Sequence, residues 1–98
     1  MAKVVFQNAM VVAVATQEIK GNAGLRRKQE VQITTKGRDG IMLIGGIEVW
    51  DDSINDMQLV QGVQLAELHC NVKSDFSGGR WWWSVQAYKA VREQANVQ

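Results

Sequence analysis

Cysteine and histidine are nearly absent, since the 98 residues include one of each, Cys70 and His69. A single cysteine cannot form a disulfide within the chain, and these two residues are too few for a structural zinc site. Because Cys70 lies in an alternating apolar run, we expect a buried small side chain rather than a nucleophile. The sequence therefore predicts no internal disulfide and no metal centre.

Long apolar runs are also missing. No stretch approaches the roughly 20 apolar residues that a membrane-spanning helix needs. The start, Met1-Ala2-Lys3, has neither the extended apolar region nor the cleavage site of a signal peptide. These absences predict a cytoplasmic protein with no membrane partner.

Recognisable catalytic patterns are lacking as well. Asp51 and Asp52 are adjacent, but they precede a predicted helix, where capping explains them better than acid–base chemistry. No nucleophile has a recognisable base, and the glycines form neither a phosphate loop nor a dinucleotide fingerprint. We predict that the protein is not an enzyme and needs no cofactor.

The composition that remains is that of one small globular domain, with 46% hydrophobic and 21% charged residues. We place this domain at residues 1–90 and a polar tail at residues 91–98. The net charge is only +1, yet residues 20–38 hold six basic side chains and one acid, whereas residues 39–67 hold six acids and no base. Such polarity can present a cationic face to a polyanion, although a solvated loop would explain the basic segment equally well.

Alternating and β-branched residues predict five strands, at residues 3–20, 28–36, 41–50, 63–73 and 80–90. Residues 21–27 contain two glycines and no periodicity, so we expect a flexible loop there. A short helix is predicted after Asp51-Asp52-Ser53, ending at Gln61-Gly62. Three strands, a helix and two strands is the order of the OB barrel, so we predict an all-β, five-stranded OB fold with a short helix between strands 3 and 4.

Three consecutive tryptophans, Trp81, Trp82 and Trp83, follow the predicted turn at Ser77-Gly78-Gly79. Successive strand residues point to opposite faces, so one side of a strand cannot bury all three rings. If Val85 is a core residue, parity turns Trp81 and Trp83 inward to seal the barrel and leaves Trp82 outward with Tyr88. A bulge at the glycines would instead expose Trp81.

Within residues 45–72, a predicted strand that ends in Trp50 is followed by a short helix with Ile54 and Leu59, a turn and a fourth strand. This order resembles the bacterial single-stranded DNA-binding protein family, although Gln61 replaces the customary lysine of the turn. The resemblance implies a ligand surface on the outer face of strands 2 and 3, edged by the loops at residues 20–27 and 74–79.

The chain is also similar to small OB-fold proteins of bacteria and their phages, through Lys28-Gln29-Glu30 and Gly79-Arg80-Trp81. Together the two likenesses cover about two thirds of the chain. An acidic tail ending in phenylalanine is missing, so recruitment of replication partners through such a tail is not expected.

The leading hypothesis is sequence-tolerant binding of single-stranded DNA, with RNA as an alternative, by a homo-oligomer in replication or recombination. The candidate binding residues are the basic side chains of the polarised segment and those beside the tryptophans, with three aromatic rings: Lys20, Arg26, Arg27, Lys28, Lys36, Arg38, Lys73, Phe76, Arg80, Trp82 and Tyr88. The main competitor is an assembly protein that buries its tryptophan strand and its apolar first strand in a subunit interface. A carbohydrate-binding barrel would also use exposed tryptophans but would leave the basic segment unexplained.

Overall fold

A computed structural model, which describes residues 2–93, has five strands and one helix within that range. The elements in chain order are β1 (Ala2–Gly21), β2 (Gly24–Gly37), β3 (Gly40–Trp50), α1 (Asp52–Met57), β4 (Gln64–Ser77) and β5 (Arg80–Arg92). The predicted all-β fold with a short helix between the third and fourth strands is confirmed. Strand β5 ends two residues later than predicted, and residues 94–98 of the predicted tail lie outside the described residues.

The strands close into a barrel in the order β1-β2-β3-β5-β4. Strand β1 is shared between two neighbours, pairing with β4 through residues 2–10 and with β2 through residues 10–21. Asn8, at a φ of 53°, and a bulge between Val11 and Ala13 let the long strand bend from one neighbour to the other. Among the described residues, β3 meets β5 at two positions alone, the parallel pairs Ile47 with Val85 and Glu48 with Gln86. This short seam completes the five-stranded OB barrel.

The core lies inside the barrel and draws side chains from every strand and from the helix. Ile33, Ile47 and Leu68 are among its fully buried members. Cys70 is buried too, as predicted, and burial raises the pKa of its thiol to about 12. The buried hydroxyl of Thr35 donates a hydrogen bond to the carbonyl oxygen of Gln7 at 2.8 Å, so this hydroxyl is buried together with a partner.

Helix α1 covers one end of the core with Ile54 and Met57. It ends at Met57, before the predicted end at Gln61-Gly62, and the next residue, Gln58, has a left-handed backbone. The Arg92 guanidinium donates to the carbonyl oxygens of Met57 (3.0 Å) and Gln58 (2.8 Å), two acceptors that a helix end leaves free. The end of β5 therefore secures the helix. Across residues 2–93, no helix is long and apolar enough to span a membrane.

Three hairpins project from the barrel and give the molecule extents of 51 × 31 × 21 Å. The predicted flexible loop at residues 21–27 is wrong, because Leu25 and Arg26 pair with Lys20 and Ile19 across a two-residue turn. The predicted loop at residues 74–79 is wrong for a similar reason. Strand β4 continues to Ser77, and the turn consists of Gly78 and Gly79, whose φ angles of 61° and 80° favour glycine.

Candidate nucleic-acid interface

The outer part of the β4–β5 hairpin, residues 73–84, carries a cluster of exposed aromatic rings and is called the aromatic arm below. Strand β1 begins opposite Val72, so within the described chain the β4 half of the arm pairs with β5 alone. The arm places Phe76 opposite Trp81, Asp75 opposite Trp82 and Ser74 opposite Trp83. All four aromatic side chains are exposed. Their exposure follows from the arm's position beyond the barrel wall.

The prediction that Trp81 and Trp83 seal the barrel is wrong. They do share a face of β5 with Val85 and the buried Ala87, as parity requires, but the barrel ends before they are reached. Trp81 is 64% exposed and Trp83 is 72% exposed. The alternative of a bulge at the glycines is also wrong, because the β4–β5 pairing runs without interruption from Ser77–Arg80 to Cys70–Ala87.

The inner face of the arm forms a short aromatic strip. Phe76 and Trp81 pack with ring centroids 5.3 Å apart and planes tilted by 60°, a favourable edge-on arrangement. Trp83 lies two residues closer to the barrel on the same face, beyond the half-buried Val72 and Val85. The strip therefore continues the apolar lining of the barrel into solvent and leaves ring surface free for contact.

Trp82 faces outward, as predicted, but much of its ring is already engaged. The Arg80 guanidinium lies 4.0 Å from the ring centroid, and the indole N–H donates to the carbonyl oxygen of Ser77 at 3.0 Å. These contacts fix the indole orientation and cover one of its faces. Trp82 thus has less free stacking surface than Trp83.

Tyr88, the other predicted stacking ring, is exposed on the barrel wall. Its ring centroid lies 6.1 Å from that of His69 and 5.5 Å from the Lys3 ammonium. It lies six positions along β5 from Trp82, a distance of about 20 Å along a strand. The structure does not bring these two predicted rings together.

Some of the basic side chains predicted to bind phosphate form ion pairs with carboxylates of the same chain. Arg26 donates to the Asp51 carboxylate through Nε (3.0 Å) and Nη2 (2.8 Å), and its guanidinium lies 4.4 Å from the centre of the Trp50 ring. The backbone N–H of Arg27 also donates to Asp51, at 3.2 Å. These bonds, the Arg26 guanidinium foremost, lower the pKa of Asp51. Asp51 occupies the N-cap position of α1, as predicted, but its carboxylate makes no capping hydrogen bond to the helix.

Lys28 is likewise neutralised on the outer face of β2 and β3. Its ammonium lies 3.1 Å from the Glu48 carboxylate and 3.2 Å from that of Glu30, and the bond to Glu48 is the main cause that raises the pKa of Lys28. The ligand surface implied by the family resemblance therefore holds two carboxylates around one half-buried lysine. This arrangement is unfavourable for a phosphate chain.

The remaining candidate cations divide between opposite ends of the barrel. Strands β3 and β5 run parallel at their seam, so the hairpins that precede them, the β2–β3 hairpin and the aromatic arm, leave by the same end. The β1–β2 hairpin lies beyond Trp50, the last residue of β3, at the other end. Within residues 2–93, none of six candidates has an ion-pair partner: Lys20 and Arg27 on the β1–β2 hairpin, and Lys36, Arg38, Lys73 and Arg80 at the end that carries the aromatic arm. The Arg27 guanidinium donates a hydrogen bond to the side-chain oxygen of Asn55 at 3.4 Å.

No protein-family model matches the chain, and no curated protein sequence matches it. Among solved structures, it is similar to the small single-stranded DNA-binding protein from Streptomyces coelicolor, with 14% sequence identity and a TM-score of 0.45. The similarity covers 95% of this chain and 96% of that chain. Likeness at this level establishes neither a family nor a shared function, so the functional case rests on the side chains described above.

Proposed function

We propose that the protein binds single-stranded DNA through the aromatic arm, with little dependence on base sequence. The observation that carries the proposal is the exposure of Trp81 and Trp83 on a projecting hairpin, beside Phe76. Lys73 and Arg80 lie on the same hairpin and have no ion-pair partner within residues 2–93. Indole rings with a free face offer stacking surface to any base, and each stacked base contributes about 1–3 kcal/mol. A duplex keeps its bases stacked inside, so the arm favours single strands.

Phosphate contacts in this proposal come from the end of the barrel that carries the aromatic arm. Lys36 and Arg38 project on the neighbouring hairpin, while Arg26 and Lys28 are held by carboxylates. Cations that neutralise phosphates release condensed counterions, which makes affinity fall as salt rises. The proposed role is to coat single strands in the cytoplasm during replication or recombination, in a bacterium or a phage.

The direct test is a titration of the full chain with a thymidine oligonucleotide at about 50 mM and about 200 mM salt, followed by tryptophan fluorescence. We expect quenching on binding, since stacking places a base against an exposed indole, and a weaker affinity at the higher salt. The duplex of the same length is the control and should bind more weakly. Absence of both quenching and a salt-dependent shift would sink the proposal, and equal affinity for an RNA oligonucleotide would extend it to RNA.

The position of the phosphate track can be tested with one lysine from each end of the barrel. We expect Lys73→Ala, on the aromatic arm, to reduce the slope of log K against log salt by about 0.7, the contribution of one phosphate contact to a single strand. Lys20→Ala, on the β1–β2 hairpin, should leave the slope unchanged. Binding titrations over a salt series measure both slopes, and a larger effect from Lys20→Ala would place the track at the opposite end.

A further inference from the structure

Strand β3 has an unpaired edge along its first half. Its pairing with β2 extends from Gly40 to Trp50, whereas among the described residues its other side meets β5 only at Ile47 and Glu48. On the side away from β2, residues 40–46 therefore present a row of backbone groups that no strand covers. This row is called the β3 edge below. Ile41 is 76% exposed and Leu43 is 66% exposed.

The β3 edge also lacks the features that usually prevent strand pairing. Natural sheets protect their edges with charged residues, proline or a covering element. Residues 40–46 contain no charge and no proline, and three consecutive apolar residues, Ile41, Met42 and Leu43, are exposed to solvent. By contrast, the part of β1 that pairs with β2 alone carries Glu18 and Lys20. The β3 edge is thus open to pairing in a way that the β1 edge is not.

We propose that two copies of this chain associate through their β3 edges, in an antiparallel pairing centred on Leu43. The two ends of the edge fix this centre. The turn at Arg38-Asp39 bounds it on one side, and Gly46, with a φ of 73°, interrupts the extended backbone on the other. The extended stretch is therefore residues 41–45, and its midpoint is Leu43.

The side chains of the β3 edge are complementary to themselves in this register. Leu43 lies opposite its counterpart, Met42 lies opposite Ile44, and the large Ile41 lies opposite Gly45, which has no side chain. Apolar pairs face each other on both sides of the joined sheet, and no like charges meet. A closed twofold pair of this kind buries the same patch of each copy and ends at two chains. It would carry two aromatic arms, and it forms whether or not either arm binds DNA.

Cysteine cross-linking tests the register. Directly opposed residues of antiparallel strands have Cα atoms about 4.5–5.5 Å apart, within the range that a disulfide spans. The native Cys70 is buried and supplies no competing thiol. We expect Leu43→Cys to form a covalent dimer quickly under mild oxidation at low protein concentration. Leu25→Cys, at an equally exposed position on the β1–β2 hairpin (69%), is the control, and cross-linking of both at the same slow rate would overturn the proposal.

Light scattering of the full chain tests association itself. The expected mass is twice 10.9 kDa for the unchanged protein and 10.9 kDa for Leu43→Glu, which brings two carboxylates together at the twofold axis. Leu43→Lys alone should also be monomeric, and an equimolar mixture of the two variants should restore the dimer. Circular dichroism checks that each variant is folded. A monomeric unchanged protein, a Leu43→Glu variant that stays dimeric, or a dimer lost on Trp82→Ala instead would each overturn the proposal.

Discussion

Trp83→Ala is expected to weaken binding of a single-stranded oligonucleotide by about 1–3 kcal/mol, or about 5- to 150-fold, while the free energy of unfolding changes by less than about 0.5 kcal/mol. The two effects separate because Trp83 is 72% exposed and lies beyond the barrel core. Truncation removes a stacking surface without opening a cavity. Anisotropy of a labelled oligonucleotide measures the affinity without relying on the tryptophan that was removed, and urea unfolding followed by circular dichroism measures the stability.

Trp82→Ala is the matched control, because it removes the same side chain from the opposite face of the same strand. Arg80 already covers one face of Trp82, and Ser77 holds its indole N–H. The loss of affinity should therefore be smaller than for Trp83→Ala. A larger loss would transfer the binding site to the outer face of the arm. Unchanged affinity in both variants, together with loss of an oligomer, would favour the assembly interpretation.

The hairpin at residues 18–27 shows why local patterns located the barrel strands better than the projecting ones. Alternation of apolar and polar residues arises where one face of a strand is buried, as at Val31 and Ile33. Leu25, Arg26 and Arg27 belong to a strand whose two faces are both exposed, so no alternation marks it. The two glycines of this segment then appeared as loop residues, although Gly24 is part of a paired strand.

The tryptophan triplet shows that strand parity predicts the direction of a side chain but not its burial. Parity correctly separated Trp82 from Trp81 and Trp83, because the side on which a residue points is a local property of a strand. Burial of the tryptophans depends on how far β1 extends alongside β4. Strand β1 begins at Ala2, which pairs with Val72, a residue about 70 positions away in the chain. Phe76 shares its parity with Val72 and lies between the polar Asp75 and Ser77, and this pattern was the available sign that β4 continued alongside the tryptophans.

The charge count located the basic segment at residues 20–38, but it did not show which of these side chains form ion pairs with carboxylates. Arg26 pairs with Asp51 and Lys28 pairs with Glu48, and both acids come from the acidic segment that follows. The antiparallel pairing of β2 with β3 brings the two oppositely charged segments together. Charge polarity along this chain therefore stabilises the sheet locally, and the cations left for a polyanion lie on the hairpins.

Ile47→Ala is expected to lower the free energy of unfolding by about 2–5 kcal/mol, a large share of the roughly 5–15 kcal/mol that stabilises a small domain. Ile47 is fully buried and lies in the short seam where β3 meets β5. Its truncation leaves a cavity at the place where the barrel closes. Urea unfolding followed by circular dichroism measures the change, and Leu25→Ala, which removes the same number of carbon atoms from an exposed position, should shift stability by less than about 0.5 kcal/mol.

The same variant separates folding from binding. Ile47 faces the core and lies outside the aromatic arm, so oligonucleotide affinity in Ile47→Ala should fall only in proportion to the folded fraction. Trimethylamine N-oxide favours the folded state because it is excluded from protein surface, and it should return the affinity to that of the unchanged protein. It should not do so for Trp83→Ala, which is already folded. A loss of stability below about 1 kcal/mol would show that the seam tolerates the cavity by repacking, and that the barrel does not depend on Ile47 for closure.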